Sequence, residues 1–463
     1  MNEQSKQVRP FGMADKIGYA FGDFGNDFTF IFSAMMLMKF YTDVMGVSAG
    51  LVGLLMMLAR FADAFTDVTM GQITDRSKRT AKGKFAPWIL RMMGPVAVAS
   101  FLIYATWFKD MSMGFKVFWM FFTYLLWGSV CYTGINIPYG SMASAITDKP
   151  EERGALSTWR TIGATLAGTF IGVIVPQIVY YRDANGNSAL NADKMMVVSL
   201  ICSIGAIVCY LLCYFLCTER VIVEPKNEKF ELGKLLKSLV TNKSLIGIVV
   251  GALLLLLAQL SLSGMASYIY PNYFNNGQAQ SAGSLIQTIV TLGMATFATK
   301  LCAKIGKKEF SMITALIGAA ALLIAFVMHT TSVTVWYVLY AFGYVGVAGF
   351  TLVCWAMITD VIDDTEIKEG SRSDGTIYSV YSFARKMGQA ASSGLTGLLL
   401  TLIGYSSATA FDPAVTNGIY NITCLAPAIG FILMAAALKF LYPLDKKTVD
   451  ANAEILRQKK DNK

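Results

Sequence analysis

Twelve runs of about 20 predominantly apolar residues follow one another along this chain, and that repetition limits its fold more than any other feature. A helix of about 20 apolar residues crosses the hydrocarbon core of a bilayer. The runs lie near residues 17–45, 49–74, 88–108, 115–138, 156–180, 196–218, 244–270, 283–303, 311–329, 334–359, 378–403 and 417–442. Across 463 residues they leave only short connections. Composition agrees: 55% of the residues are hydrophobic and 15% charged, against roughly 25% charged in an average soluble protein. The 40 glycines and 24 methionines are dispersed, so no low-complexity tract is present. The expected fold class is an all-α membrane protein of twelve transmembrane helices.

The net charge of +9 would suggest nucleic acid in a soluble chain, but in a membrane chain the placement of Lys and Arg reports orientation. Basic residues mark the N-terminal arm, the connections 75–87 (Arg76, Lys78, Arg79, Lys82, Lys84), 147–155, 219–243, 304–310 and 360–377, and the C-terminal tail. The connections near 46, 271–282, 330 and 404–416 carry none, and the remaining two hold only Lys109, Lys116, Arg182 and Lys194. This alternation predicts a multi-pass protein of the plasma membrane with both termini cytoplasmic. The charge then serves topology and contact with anionic lipids, not nucleic acid. Lys6, Arg9 and Lys16 precede a segment bearing Gly and Asp, which does not read as a cleavable signal. The long charged connection at 219–243 leaves six runs on either side. The expected organisation is a six-helix bundle over 1–218, a cytoplasmic linker over 219–243, a second six-helix bundle over 244–445 and a tail over 446–463, as in transporters whose two halves rock around a midplane site.

Of the eight cysteines, Cys209, Cys213 and Cys217 form an i, i+4, i+8 stripe. The single histidine, His329, ends a different run, so the stripe reads as small apolar packing and not as a metal site.

A charge at the bilayer centre costs about 2.5–3.5 kcal/mol on insertion scales, so ionisable residues inside the runs are functional candidates. The second run contains Arg60, Asp63 and Asp67. Four residues apart on a helix, the two carboxylates share a face about 6 Å apart along the axis. They repel each other unless one is protonated or a cation lies between them, which makes the pair a switch between proton, metal and empty states. Thr66 beside Asp67, and Thr133 in the fourth run, offer hydroxyl oxygens to a hard cation; the set has no sulfur or nitrogen ligand for zinc or copper. A pairing of these charges across a helix contact is the bland alternative.

The first run carries Asp23 and Asp27 amid aromatics, a surface suited to a sugar, whose hydroxyls donate to carboxylates while rings cover its C–H face. Asp23 lies nearer the cytoplasmic end, where it reads equally as a cap or an ion-pair partner. Lys386, after Arg385 in the eleventh run, is a natural counter-charge, or else snorkels to the surface. Asn136 precedes Ile137-Pro138-Tyr139-Gly140, where Pro138 and Gly140 are expected to interrupt the helix near a cavity. Trp355 lies one helical turn before Asp360; both it and Asn136 also read as ordinary packing. Gly163, Gly168 and Gly172, with Gly343, Gly346 and Gly349, permit close helix approach.

Gly71-Gln-Ile-Thr-Asp75-Arg76-Ser-Lys78-Arg79 resembles the loop between the second and third helices of the major facilitator superfamily. Four pieces resemble, more narrowly, the glycoside-pentoside-hexuronide:cation symporters, the family of melibiose permease. They are the Asp27 segment with Phe40-Tyr41-Thr42-Asp43, the Asp63/Asp67 segment with Lys82-Gly83-Lys84-Phe85-Ala86-Pro87-Trp88, Asn136-Ile-Pro-Tyr-Gly-Ser, and Asp360-Val-Ile-Asp363 with Lys386. The resemblance spans nearly the whole chain. It implies that Asp63 and Asp67 bind the coupling cation with Thr133 as a hydroxyl ligand, that Asp27 contacts sugar hydroxyls, that Lys386 sits near both, and that Arg160 lies near the sugar pocket. Two departures stand out: Asn136 and Thr66 occupy positions where melibiose permease has an aspartate and an asparagine. The first removes a charge from the sugar site; the second leaves Na⁺ and H⁺ both open.

The expected function is import of a sugar or glycoside, of neutral type given the charge on Asp27, in symport with Na⁺ or H⁺. No cofactor is expected and no ATP, since a phosphate-binding loop is missing. A lipid or drug carrier of the same superfamily is the alternative within transport. A membrane-embedded transferase is disfavoured by the lack of a Ser/His or metal cluster.

Overall fold

A computed structural model describes residues 9–222, 242–369 and 374–461. Among these residues the apolar runs form twelve long helices: α1 Met13–Asp43, α2 Ala49–Arg76, α3 Ala86–Ile103, α4 Met113–Ile146, α5 Pro150–Val179, α6 Ala192–Leu216, α7 Lys243–Tyr273, α8 Gln280–Ile305, α9 Lys307–Met328, α10 Val333–Glu369, α11 Asp374–Leu402 and α12 Pro413–Leu441. A terminal helix, α13, covers Lys446–Asp461. Short strands Tyr180–Arg182 and Ser188–Leu190 lie between α5 and α6. Ten helices are long and apolar enough to cross a membrane by length and composition. The two that fall short, α1 and α11, carry Asp23 with Asp27 and Arg385 with Lys386.

Several helices outrun their apolar windows. Helix α5 begins at Pro150 and α10 continues to Glu369, so the connections expected at 147–155 and 360–377 are largely helical. Hydropathy reports where lipid begins, whereas i→i−4 hydrogen bonding continues into water wherever propensity allows. The linker expected at 219–243 falls mostly outside the described residues. Helix α4 corrects a second expectation: it passes through Pro138 as helix, and its irregularity lies six to twelve residues earlier, in a π-turn at Leu126–Tyr132. There the Thr133 N–H bonds back to the Gly128 carbonyl. Proline cannot bond to the carbonyl four residues before it, here that of Gly134, which lies beyond the π-turn.

Contacts group the described residues into two units, one within Met1–Ser48, Leu58–Asp183 and Ala189–Glu228, the other within Ala49–Met57, Ala184–Ser188 and Lys229–Lys463. In the first, Gly18, Gly22 and Gly25 of α1 run against Cys217, Cys213 and Cys209. A Cβ at these glycines would lie 3.0, 2.9 and 3.1 Å from the cysteine Sγ, Sγ and Cβ atoms. The cysteine stripe is therefore packing, and it brings α1 and α6 into backbone-close contact. One end of this unit is fastened by ionic hydrogen bonds. Buried Asp15 receives both guanidinium arms of Arg220 at 3.1 and 2.9 Å and the Thr218 N–H at 3.0 Å. The Glu219 carboxylate accepts the N–H groups of Lys84, Phe85 and Ala86 at 2.7, 2.9 and 2.7 Å, satisfying the open N-terminus of α3.

In the second unit, Gly318 of α9 meets Gly346 of α10, a Cβ there lying 3.0 Å from the Gly346 Cα. Lys307 bridges both oxygens of Asp360 at 2.6 and 2.7 Å. Asp364 accepts from Ser244, Lys368 and, through α13, Asn452. Asp445 caps α13 through the Thr448 N–H and hydroxyl at 2.9 and 2.6 Å, and those bonds hold its carboxyl below the usual carboxylate range.

Candidate substrate and cation site

Two carboxylates of α2 face two hydroxyls of α4 in matching register. The Ser129 hydroxyl donates to Asp63 Oδ1 at 2.7 Å, and the Thr133 hydroxyl donates to Asp67 Oδ1 at 2.9 Å. Both pairs are spaced i, i+4. The result is a two-rung ladder between parallel helices. The π-turn supplies its α4 side, ending where Thr133 begins. Arg60, one turn before Asp63, reaches Asp63 Oδ2 at 3.4 Å while its guanidinium lies over the Phe30 ring, 4.8 Å from the centroid. The Thr66 hydroxyl donates to the Asp63 main-chain carbonyl at 3.2 Å. Ser129 and Thr133 each give a hydroxyl to the carboxylates.

Carboxylate and alcohol oxygens in such an array suit a hard cation or a proton. Among the described residues no group of three or more His, Cys, Asp and Glu side chains gathers to hold a metal, so a cation in this part of the molecule would be held by carboxylates and hydroxyls together.

A second polar group lies next along α4 and joins it to α1, α5 and α6. The Asn26 amide donates to Asn136 Oδ1 at 3.3 Å and accepts the Tyr210 hydroxyl at 2.9 Å. Arg160 Nε meets Asp23 Oδ1 at 3.0 Å, and its guanidinium stacks over Tyr139, 5.4 Å from the ring centroid. Asp23 thus lies in an intramolecular ion pair, as its second reading allowed. Asp27, half-buried one turn further on, receives no hydrogen bond among the described residues. Its carboxylate is the acidic acceptor of this group left for a ligand's hydroxyls. Aromatic rings line the region: Phe24 packs edge-on to Phe28 at 4.8 Å, and Phe30 stacks with Tyr132 at 5.5 Å.

The two groups are physically joined. Thr133, which holds Asp67, and Asn136, which holds Asn26, are three residues apart on α4, about 4.5 Å of rise. The stacked Phe30–Tyr132 pair also carries the Arg60 guanidinium.

Trp355 and Lys386 belong to the second unit. Trp355 packs edge-on to Tyr381 at 5.2 Å, with the Arg385 guanidinium 5.6 Å from its ring centroid; it is 40% exposed. Lys386 follows Arg385 on α11.

The sequence profile of MFS/sugar transport proteins matches residues 18–446 of this chain. The chain belongs to that family. The transporter is 32% identical to the glucuronide carrier protein homolog of Escherichia coli over 96% of its own length and 95% of that protein's. It is 30% identical to the isoprimeverose transporter of Lactiplantibacillus pentosus, covering 94% and 89% of the two chains. Among solved structures it superposes on the D-xylose-proton symporter with a TM-score of 0.65 at 14% identity, over 93% and 97% of the chains, which shows the shared major facilitator fold. The transporter is therefore an integral multi-pass secondary carrier of the sugar-transport type.

Ser129, Asn26 and Tyr210 were not singled out in the sequence. For Ser129 a signal exists: it stands four residues before Thr133, the spacing that separates Asp63 from Asp67. Asn26 and Tyr210 sit in apolar runs where a single amide or phenol gives no such cue.

Proposed function

We propose that the transporter imports a neutral glycoside in symport with a cation, Na⁺ or H⁺, through the first unit's paired groups. The observation that carries this reading is that α4 holds the carboxylate ladder and the amide group on successive turns. A cation between Asp63 and Asp67 removes their mutual repulsion and fixes Ser129 and Thr133. A sugar whose hydroxyls bond to Asp27 and Asn136, with rings against its C–H face, fixes the adjoining turn. Each ligand then binds a stretch of α4 that the other has already ordered, so each raises the other's affinity by the same factor. Arg160, paired with Asp23, adds no net charge, so Asp27 leaves the sugar group acidic and favours a neutral ring over an anion. Trp355 and Lys386 are proposed as substrate-binding residues, and Thr66 as a cation ligand through its remaining lone pairs.

A second reading, transport of an acidic glycoside, draws support from the likeness to a glucuronide carrier homolog and from the Arg160 side chain, which is 41% exposed and keeps guanidinium N–H groups beyond the one given to Asp23. Uptake of a panel of labelled glycosides into proteoliposomes, under Na⁺ and H⁺ gradients imposed separately, tests both. Neutral pentosides or hexosides should compete more strongly than matched glucuronides; the opposite order transfers the role of anchor to Arg160. Both termini are proposed to be cytoplasmic, in the plasma membrane. An engineered cysteine within 271–282 should be labelled from outside intact cells, and one within 219–243 should not.

A further inference from the structure

Ser129 is buried, 7% exposed, and gives its hydroxyl hydrogen to Asp63 Oδ1 at 2.7 Å. A hydroxyl has one hydrogen and two lone pairs, so with the hydrogen turned to the carboxylate its lone pairs are left for another partner. The Thr133 hydroxyl likewise reaches Asp67 Oδ1 at 2.9 Å, with the Gly128 carbonyl as a second acceptor at 3.3 Å. The two carboxylates and two hydroxyls are hard oxygen donors, and Ser129, its one hydrogen given to Asp63, keeps lone pairs for a cation.

We propose that Ser129 Oγ is a cation ligand and sets the preference of this transporter for Na⁺ over Li⁺; this rests on the cation-symport reading above. Selectivity between hard cations follows from ligand number and cavity size. Li⁺, the smaller ion, is satisfied by about four oxygens, whereas Na⁺ takes more and gains most from the second hydroxyl. The main chain at Ser129 lies within the π-turn, whose altered hydrogen bonding fixes where this oxygen stands relative to α2. Arg60 on the other carboxylate oxygen of Asp63 keeps that group aimed at Ser129.

The test uses the full-length transporter purified in detergent with choline as the sole cation, titrated with NaCl or LiCl and followed by intrinsic fluorescence. Trp127 lies two residues from Ser129 and serves as a reporter. Ser129→Ala should weaken Na⁺ about tenfold, the scale seen when one supporting group of a metal site is lost, and should shift the Na⁺/Li⁺ affinity ratio toward Li⁺. Ser129→Thr, which restores a hydroxyl, should return the ratio to the wild-type value. Melting temperatures in choline confirm that both variants are folded. The proposal is overturned if Ser129→Ala keeps the wild-type ratio, or if both ions weaken equally and Ser129→Thr fails to restore them. A wild type that responds to neither ion also overturns it. In that case uptake driven by an imposed Na⁺ gradient locates the fault: if uptake persists, Ser129 is wrong and sodium symport stands, and if it is lost, the sodium reading itself fails.

Discussion

The two units place their charges differently. In the first, Arg60, Asp63 and Asp67 sit near the middle of α2 and are met by hydroxyls of α4, with Asp23 and Arg160 paired nearby. In the second, the described ion pairs gather at helix ends: Lys307 is the first residue of α9, Asp360, Asp364 and Lys368 lie in the last turns of α10, and Ser244 opens α7. A charge at a helix end is held near water at little cost, whereas one at mid-helix is costly to keep without a partner or a task. On the proposed reading the mid-helix carboxylates of the first unit serve ligand chemistry, while the second unit's pairs at helix ends hold helices in place, with Arg385 and Lys386, midway along α11, standing apart from that pattern.

The comparison breaks most sharply at the ladder. Asp63→Asn and Asp67→Asn should each abolish gradient-driven accumulation while leaving sugar binding or exchange; accumulation at wild-type level in either variant removes that residue from the cation site. Next in size, Asp27→Asn should weaken binding of a neutral glycoside by at least about tenfold, the loss of roughly one charge-assisted hydrogen bond. Cation affinity measured without sugar should be unchanged. Isothermal titration of both ligands checks the split.

In the second unit, Lys307→Ala should lower stability by roughly 2 kcal/mol, because a mostly buried Asp360 loses its partner. The cation dependence of transport should stay as it was, and Asp360→Asn in the same chain should recover part of the melting temperature. An altered ion preference in Lys307→Ala would dissolve the distinction between the units. The smallest effect belongs to Asp445→Ala, which removes the cap of α13 at a cost of about 1 kcal/mol. Since the folded carboxyl titrates below its ordinary value near 4, the cap contributes in full above that value and is lost only as pH falls further, through the lowered one. Amide exchange in α13 should therefore quicken in the variant at pH 7, with transport rates unaltered.

The helices were legible because lipid demands long apolar runs, and Asp63 and Asp67 were legible because a carboxylate violates that demand. Ser129 violates nothing: a serine costs little in a membrane helix, so only its spacing from Thr133 marked it. The π-turn left no trace in the apolar pattern. Pro138 signalled an irregular helix, yet the helix runs through the proline and the π-turn lies six to twelve residues before it. The ends of α5 and α10 were illegible for a related reason, as propensity and not hydropathy decides how far a helix reaches into water.

Glu219 and Arg220 have a consequence for how this gene product tolerates division. Because these two residues clamp the start of α3 and the buried Asp15 of α1, the six helices of the first unit are closed by a latch that their own polypeptide supplies before the chain moves on. A nick introduced after Ile222 would leave that latch whole, whereas one introduced before Thr218 would strip it away. Expressed as two fragments, the transporter should therefore reassemble from the first kind of cut and fail from the second, although the two differ by only a handful of residues.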